Sequence, residues 1–431
     1  MTTVLLSSGN GSSNLGDEAM WEAAAYVTRD LLPGAPITTD AAAGWVSQFP
    51  DVTALPFLAL ALRRGVRVLK SDVRAPLPLT ERLLSRPRRD EYARRVAEQF
   101  RACGASPQDL PQLAKDWIGA IDQCGSLVIA GAGALNDHYG AHGLASWSLL
   151  SGWAEDRAVP FAMIGQGIGP LRSAASQATA QRILRRAALV TVRDEGSAVV
   201  ARELGASNVH VTHDWAILCA PETTDREFAK RFVSEVMGTD PFVVFSCHFA
   251  GHDTRRSRRN VSDALRVVVE DCRRARVRVL MLPNMTHGWR SDDRVTARQL
   301  VGSWPQTIQD HVSIADRRLS ARQTRAVLAL SRGLITTRYH PAVFAMAEGR
   351  GVLGLAYNEY YRQKLSGAAH LFGLDPNSTV KSLYGTNEAG RIIGNTALAD
   401  LAELAPRELT VKDLDSITAP YTQFIRSLSS S

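Results

Sequence analysis

The stretch FAMIGQGIGPLRSAASQATAQRILRRAALVTVRD, residues 161–194, decides the fold class. Phe161-Ala162-Met163-Ile164 is short and apolar and reads as a strand. It runs into the loop Gly165-Gln166-Gly167-Ile168-Gly169-Pro170. A helical stretch follows, from about Ala174 to Ala188. Leu189-Val190-Thr191-Val192 is a second strand, ending at Arg193-Asp194. Two branched, apolar strands on either side of one helix form a βαβ unit. Such units build parallel sheets whose strands are buried on both faces.

The same alternation extends in both directions. Upstream, Leu127-Val128-Ile129-Ala130 leads into Gly131-Ala132-Gly133-Ala134-Leu135-Asn136-Asp137. Downstream, Val209-His210-Val211-Thr212 leads into His213-Asp214. At the chain start, Thr3-Val4-Leu5-Leu6 precedes a Gly/Ser/Asn loop and a helical stretch from Trp21. Ala220-Pro221-Glu222-Thr223-Thr224-Asp225 is polar and turn-rich and reads as a linker. Beyond it come strand runs at Phe242–Ser246, Val277–Leu282, Gly333–Thr337 and Gly351–Leu355. Helices are expected near Ser262–Ala275, Ala321–Ser331 and from about Pro341. The expected fold is therefore α/β, with two tandem Rossmann-like, doubly wound parallel-sheet domains. These are residues 1–221, with a Pro- and Arg-rich insertion near 75–117, and residues 222–431, with terminal helices. A length of 431 residues, beyond the usual size of one core, agrees with two domains.

Composition excludes several classes. With 45% hydrophobic and 22% charged residues the chain is an ordinary globular protein. No apolar run approaches the roughly 20 residues of a membrane span, and no secretory signal is visible. The cysteines at 103, 124, 219, 247 and 272 are odd in number and form no C-x-x-C, which suits a reduced, cytoplasmic protein without a zinc framework. The net charge of +7 suits anionic partners such as phosphorylated small molecules, acidic glycans or lipid-linked pyrophosphates, the last by peripheral contact. Nucleic acid is not expected. Arg86–Arg89 and Arg255–Arg259 lack interleaved aromatics and any helix-turn-helix or finger signature.

In open parallel sheets, ligands bind beyond the C-terminal ends of the strands. The polar residues gather in those loops: Asn14 to Glu18, Asn136-Asp137, Gln166, Arg193-Asp194, Cys247-His248 and Arg338-Tyr339-His340. Facing loop edges would set them on two walls of one cleft. The first loop is neither a Walker A loop, which needs Gly-Lys-Ser/Thr, nor a complete Gly-x-Gly-x-x-Gly fingerprint. It ends in Asp17 and Glu18, where a phosphate would be repelled; Asp17 reads either as a helix N-cap or as a functional acid. His248-x-x-x-His252 has ligand spacing but no third partner, so no metal is expected. Cys247 reads as a buried strand-end thiol more readily than as a nucleophile. Arg338-Tyr339-His340 brings a guanidinium, an imidazole and a helix N-terminus together. The first binds carboxylate or phosphate in a fork, and the second exchanges a proton near neutral pH.

Five islands occur in order: Asn14-Leu15-Gly16-Asp17-Glu18, Gly165-Gln166-Gly167-Ile168-Gly169-Pro170-Leu171, Val192-Arg193-Asp194-x-x-Ser197, Arg338-x-His340, and Tyr357 followed by Lys364. Together they resemble the polysaccharide pyruvyl transferase family, from about Gly11 to Gly367. The resemblance implies a GT-B-like fold. It also implies transfer of pyruvate from phosphoenolpyruvate, a co-substrate, to sugar hydroxyls, usually as a cyclic ketal, with no other cofactor. Arg338 and His340 match the family's phosphoenolpyruvate contact, and Arg193 a second anion contact. Asn14, Gly16 and Asp17 match the acceptor motif. The chain departs from the family in carrying Cys247-His248 where a basic residue is expected, and in its insertion.

The residue chemistry fits that reaction. Arg193, Arg338, Lys364 and His248 are the expected phosphoenolpyruvate ligands, His340 the acid and Asp17 the base. Asn14, Gly16, Glu18, Asn136, Asp137 and Gln166 are expected around the acceptor. Two rival readings share the anion-loving fold: a glycosyltransferase using a nucleotide sugar, and a non-catalytic sugar- or anion-binding protein.

Overall fold

Two parallel sheets organise the described residues. The first runs in the order β3-β2-β1-β4-β5-β6-β7. Its strands are β1 (Thr3–Ser7), β2 (Ile37–Asp40), β3 (Val52–Leu55), β4 (Cys124–Ala130), β5 (Phe161–Gln166), β6 (Leu189–Val192) and β7 (Val209–Val211). The second runs β10-β9-β8-β11-β12-β13. It contains β8 (Phe242–Ser246), β9 (Arg278–Met281), β10 (Val312–Ile314), β11 (Leu334–Thr336), β12 (Val352–Ala356) and β13 (Val380–Ser382). The computed structural model describes residues 3–7, 14–40, 46, 49, 51–55, 116–117, 119–131, 133, 135–137, 141–249, 255–286, 292–384 and 401–428.

Every strand pair is parallel. All residues of β5, β6, β8, β11 and β12 are buried, as strands covered on both faces must be. The strand order reverses direction between β1 and β4 in one sheet and between β8 and β11 in the other. These are the topological switch points at which doubly wound folds form their ligand crevices.

The helices that matter below are α1 (Leu15–Leu31), α2 (Ala141–Asp156), α3 (Ala174–Arg186), α4 (Glu195–Glu203), α5 (Thr223–Met237), α6 (Arg255–Arg274), α7 (Asp293–Val301), α8 (Ala321–Leu330), α9 (Tyr339–Ala347), α10 (Glu359–Leu371) and α11 (Val411–Leu428). Ser173, Asp194 and Asn358 cap α3, α4 and α10, each side chain accepting from a first-turn amide. In the first sheet's core, Trp117, Ile121, Trp147 and Ile183 pack with Leu127, Ile129 and Phe161.

By contacts, one unit comprises residues 1–11, 20–215 and 415–431, and the other residues 12–19 and 216–414. This differs from the expected division at 221/222 in two ways. The last helix, α11, belongs to the first unit: Tyr421 exchanges a 2.8 Å hydrogen bond with Thr28, and its ring lies 5.5 Å from Trp215. Residues 12–19 belong to the second unit, for reasons given below. Of the expected linker, Ala220 to Glu222 lie between a short 3-10 turn, Trp215–Leu218, and α5, with Glu222 at the N-cap, and Thr223 to Asp225 are the first turn of α5. The Gly-rich residues 8–13, His252 and nearly all of the insertion lie outside the described residues.

Candidate active site

In the second unit, the switch point brings two loops side by side. His248 follows β8, and Arg338 and His340 follow β11. The strands pair directly, with Ser246 opposite Thr336. Thr337 ties the loops together: its hydroxyl accepts from the His248 amide at 2.9 Å and lies 3.3 Å from the His248 carbonyl. Arg338 is the N-cap of α9, in extended conformation, and its side chain makes no capping bond. Tyr339 and His340 open that helix, two residues earlier than the expected start at Pro341.

Arg338 and His248 converge on Asp293, the first residue of α7. Asp293 Oδ1 accepts from His248 Nδ1 at 2.9 Å and from Arg338 Nη2. Oδ2 accepts from the amides of Asn284 and Met285 at 3.0 and 2.9 Å. Four donors fill the four lone-pair positions of a carboxylate. Burial pushes the Asp293 carboxyl up. The Arg338 charge, then His248, outweigh burial and hold it below the usual carboxylate range. An ionised carboxylate only accepts, so His248 must carry its proton on Nδ1 and turn Nε2 away from Asp293. Asp293 is thus saturated, and its role is to orient Arg338 and His248. Sequence reading missed it, because Asp292-Asp293-Arg294 looks like a solvated polar loop.

The N-terminal motif meets this site through Asn284. Asn284 Nδ2 donates to Asn14 Oδ1 at 3.0 Å, the Leu15 amide donates to Asn284 O at 3.1 Å, and Asn14 forms an antiparallel bridge with Met285. Asn14, not Asp17, sits at the start of α1. It accepts from the Gly16 amide at 3.3 Å and donates to Asp17 Oδ2 at 2.8 Å. Asp17 is therefore a first-turn acid, and the N-cap reading is corrected. Gly16 lies against His340: a Cβ there would fall 1.9 Å from the imidazole, so only glycine lets the ring pack on the helix backbone. Glu18 is buried and bound by Arg318, with Oε2 2.6 Å from Nη2, which makes it an anchor of α1.

The other expected site residues are each engaged within their own surroundings. In the first unit, Arg193 is 2% exposed and faces Asp214 at 3.4 Å, with Gly167 packed against its guanidinium. Gln166 is buried and donates to the carbonyls of Ile129 and Ile164, each at 3.0 Å, stitching β4 to β5. Asn136 donates to the Gly133 carbonyl. Asp137 accepts from the amides of Arg172 and Ser173. Burial works against its charge, but Ser176 and those amides keep its carboxyl below the usual value. Gln166, Asn136 and Asp137 thus hold loops together. Lys364 rests over the Tyr360 ring on α10, 4.5 Å from its centroid. Cys247 is buried and its thiol is pushed up to about 12, chiefly by desolvation, which suits a strand-end thiol and not a nucleophile. Among the described residues, no cluster of His, Cys, Asp or Glu is placed to hold a metal ion.

The polysaccharide pyruvyl transferase family model matches residues 14–359. The chain belongs to that family. The match begins at Asn14 and ends at Glu359, so it spans the N-terminal motif, Asp293 and Arg338-Tyr339-His340. No curated protein sequence matches the chain. Among solved structures, UDP-GlcNAc 2-epimerase from Methanocaldococcus jannaschii is similar at 8% identity, covering 100% of both chains with a TM-score of 0.59. The Neisseria meningitidis UDP-GlcNAc 2-epimerase bound to UDP-GlcNAc gives 13% identity, 100% of both chains and 0.56. Anabaena HepE in complex with UDP-glucose gives 11%, 100% of both chains and 0.51. At such identities these likenesses establish the fold, which is GT-B-like as expected. No described helix of this pyruvyl transferase family member is long and apolar enough to cross a membrane.

Proposed function

We propose that the protein is a pyruvyltransferase that moves pyruvate from phosphoenolpyruvate onto the hydroxyls of a sugar, glycan or glycosylated metabolite and releases phosphate. The observation that carries this reading is the convergence of Arg338, His248 and His340 at the β8/β11 switch point, beside Asn14 to Asp17. Phosphoenolpyruvate carries a carboxylate and a phosphate, and needs several fixed cations. Arg338 has five N–H donors, of which Asp293 engages one side. The side-chain-free cap of α9 adds backbone donors and a positive helix end. His248, held by Asp293, adds a second cation whenever its ring is protonated; Lys364 is the further candidate.

In the proposed reaction His340 protonates the methylene carbon, which makes C2 electrophilic. Asp17 takes the proton of an acceptor hydroxyl as its oxygen bonds to C2. The C2–O bond to phosphate then breaks, and a second hydroxyl closes the ketal. One hydroxyl proton ends on the new methyl group and the other on the departing phosphate, so atoms and charge balance. Arg193, Asn136, Asp137 and Gln166 retain proposed roles in ligand binding only through the loops they hold. No cofactor beyond phosphoenolpyruvate is invoked, and the cytoplasm, where phosphoenolpyruvate is made, is the proposed compartment.

The test is phosphate release from phosphoenolpyruvate across a panel of sugar, nucleotide-sugar and lipid-linked sugar acceptors. Mass spectrometry of the product follows, for the gain of pyruvic acid less one water, the increment of a cyclic ketal. Stabilisation by nucleotide sugars alone, with sugar transfer and no phosphate release, would move the assignment to a glycosyltransferase. Binding without any turnover would make this a non-catalytic sugar- or anion-binding protein.

A further inference from the structure

A second site lies between α6 and α7 in the second unit. A cavity of about 490 Å³ opens there, in the size range of small-molecule sites and far larger than phosphoenolpyruvate requires. Phe249, the residue after His248, and Trp304 form its aromatic walls, both 5% exposed. Trp304 is fixed by donating to Ser262 Oγ at 2.9 Å. Arg258, Arg259 and Arg266 line it, opposed by one carboxylate, Asp263. Arg258 lies over the Phe249 ring, 5.5 Å from its centroid, and Arg266 also meets Glu270 at 3.1 Å.

The charge placement runs against helix stability. Arg255, Arg256, Arg258 and Arg259 occupy the start of α6, and its first turn contains no acid. Cations at a helix N-terminus are repelled by the dipole, where anions are welcome. Arg259, Ser262, Asp263 and Arg266 follow i, i+3, i+4, i+7 spacing and share one stripe of the helix. Arg259 and Arg266 are about 10 Å apart along the axis at 1.5 Å per residue. A single carboxylate cannot span that length, whereas an extended, multiply charged group can.

We propose that this cavity binds the phosphate or diphosphate portion of a larger ligand, with its attached organic group against Phe249 and Trp304. Two sources share that chemistry, a nucleoside diphosphate and a lipid diphosphate. The proposal stands apart from the pyruvyl-transfer reading, since Arg338 and His340 play no part in it.

Calorimetry on the full chain tests it, with inorganic pyrophosphate, uridine diphosphate, geranyl diphosphate and phosphoenolpyruvate as probes. The variants are Arg258→Ala/Arg259→Ala, at exposed positions that leave the fold intact, and Trp304→Phe, with circular dichroism as the check. Pyrophosphate affinity should fall at least tenfold in the double variant and weaken steeply with salt, while phosphoenolpyruvate affinity stays within about twofold. Tighter binding of uridine diphosphate than of pyrophosphate, reduced in Trp304→Phe, identifies the nucleoside source; the same pattern with geranyl diphosphate identifies the lipid source. Pyrophosphate that does not bind, or binds the double variant unchanged, overturns the proposal. So does a double variant that loses phosphoenolpyruvate equally, because the cavity would then belong to the site at Arg338.

Discussion

The backbone of Gly16 is the floor on which the His340 imidazole rests: a methyl group at residue 16 would lie 1.9 Å from ring atoms. The contact joins the first motif of the chain to one that follows it by more than three hundred residues. It also locates the proposed acid beside the proposed acceptor motif.

Gly16→Ala should therefore destabilise the protein by about 1–3 kcal/mol, the usual cost of overpacking a filled site. Turnover should be lost as the ring is displaced. Urea denaturation measures the first effect and phosphate release the second. In a His340→Ala background the stability penalty of Gly16→Ala should largely vanish, because the obstructing ring is gone. Equal penalties in both backgrounds would mean that the alanine is resented for another reason.

Asp293→Asn breaks a saturated, buried carboxylate that serves a guanidinium, an imidazole and two amides. Removing one partner of a buried ion pair costs about 3–5 kcal/mol. The pH dependence has a definite sign. The folded carboxyl of Asp293 is held below its ordinary value, so its stabilisation is full above the unfolded value of about 3.9. It is lost as pH falls through the lower, folded value. The stability gap between wild type and Asp293→Asn should accordingly be widest near neutrality and should narrow as pH drops below about 4. A gap that is flat from pH 7 to acid would remove the charge from the explanation.

Most of the sheet framework was legible because its central strands are apolar runs bounded by loops. The boundaries expected for Leu189–Val192 and Phe242–Ser246 coincide with β6 and β8. Four peripheral strands escaped notice for a physical reason. Ile37-Thr38-Thr39-Asp40 and Val380-Lys381-Ser382 are largely polar, and Val312-Ser313-Ile314 is only partly buried. Val52–Leu55 is only partly buried and equally faint. Helix α6 begins at Arg255, well before the expected Ser262, because its first two turns are a run of arginines without an apolar stripe. Arg338 and His340 could be found from type and position alone. Asp293 could not: only the pairing of β8 with β9 and β11 brings its loop to theirs. The same holds for Asn284, whose bonds to Asn14 and Leu15 draw the start of α1 into the second unit.

Arg338 is best probed by two substitutions. Arg338→Ala removes the guanidinium and leaves the buried Asp293 carboxylate without its strongest charge partner, so it should lower stability as well as phosphoenolpyruvate affinity. Arg338→Lys keeps the charge beside Asp293 but cannot offer a planar fork. It should fold like wild type while binding phosphoenolpyruvate about tenfold more weakly, the loss of one charge-assisted bond at about 1.4 kcal/mol. Calorimetry decides. Unchanged affinity in Arg338→Lys would return this residue to a purely structural role.

His340→Gln should cut phosphate release by about 10²–10⁴, the share of a positioned acid or base, with an unaltered circular dichroism spectrum. A variant that turns over within a few-fold of wild type would pass the acid role to His248, whose Nδ1 is already committed to Asp293.

Asp17 separates structure from chemistry most sharply. Its carboxylate accepts a 2.8 Å bond from the Asn14 side-chain amide, and it sits in the first turn of α1 rather than at the cap. Asp17→Asn retains an oxygen that can accept that bond, and Asn14 still engages Asn284 on its other side. The substitution forfeits the favourable interaction of a first-turn acid with the helix dipole, about 0.3–1 kcal/mol. An amide cannot take a proton from a hydroxyl, so transfer should stop while phosphoenolpyruvate binds as before. Calorimetry with phosphoenolpyruvate and phosphate release with acceptor, on the same preparation, give the two readings. Full activity in Asp17→Asn would show that the acceptor is deprotonated by another group. Glu18 would be a poor substitute, since Arg318 already holds it.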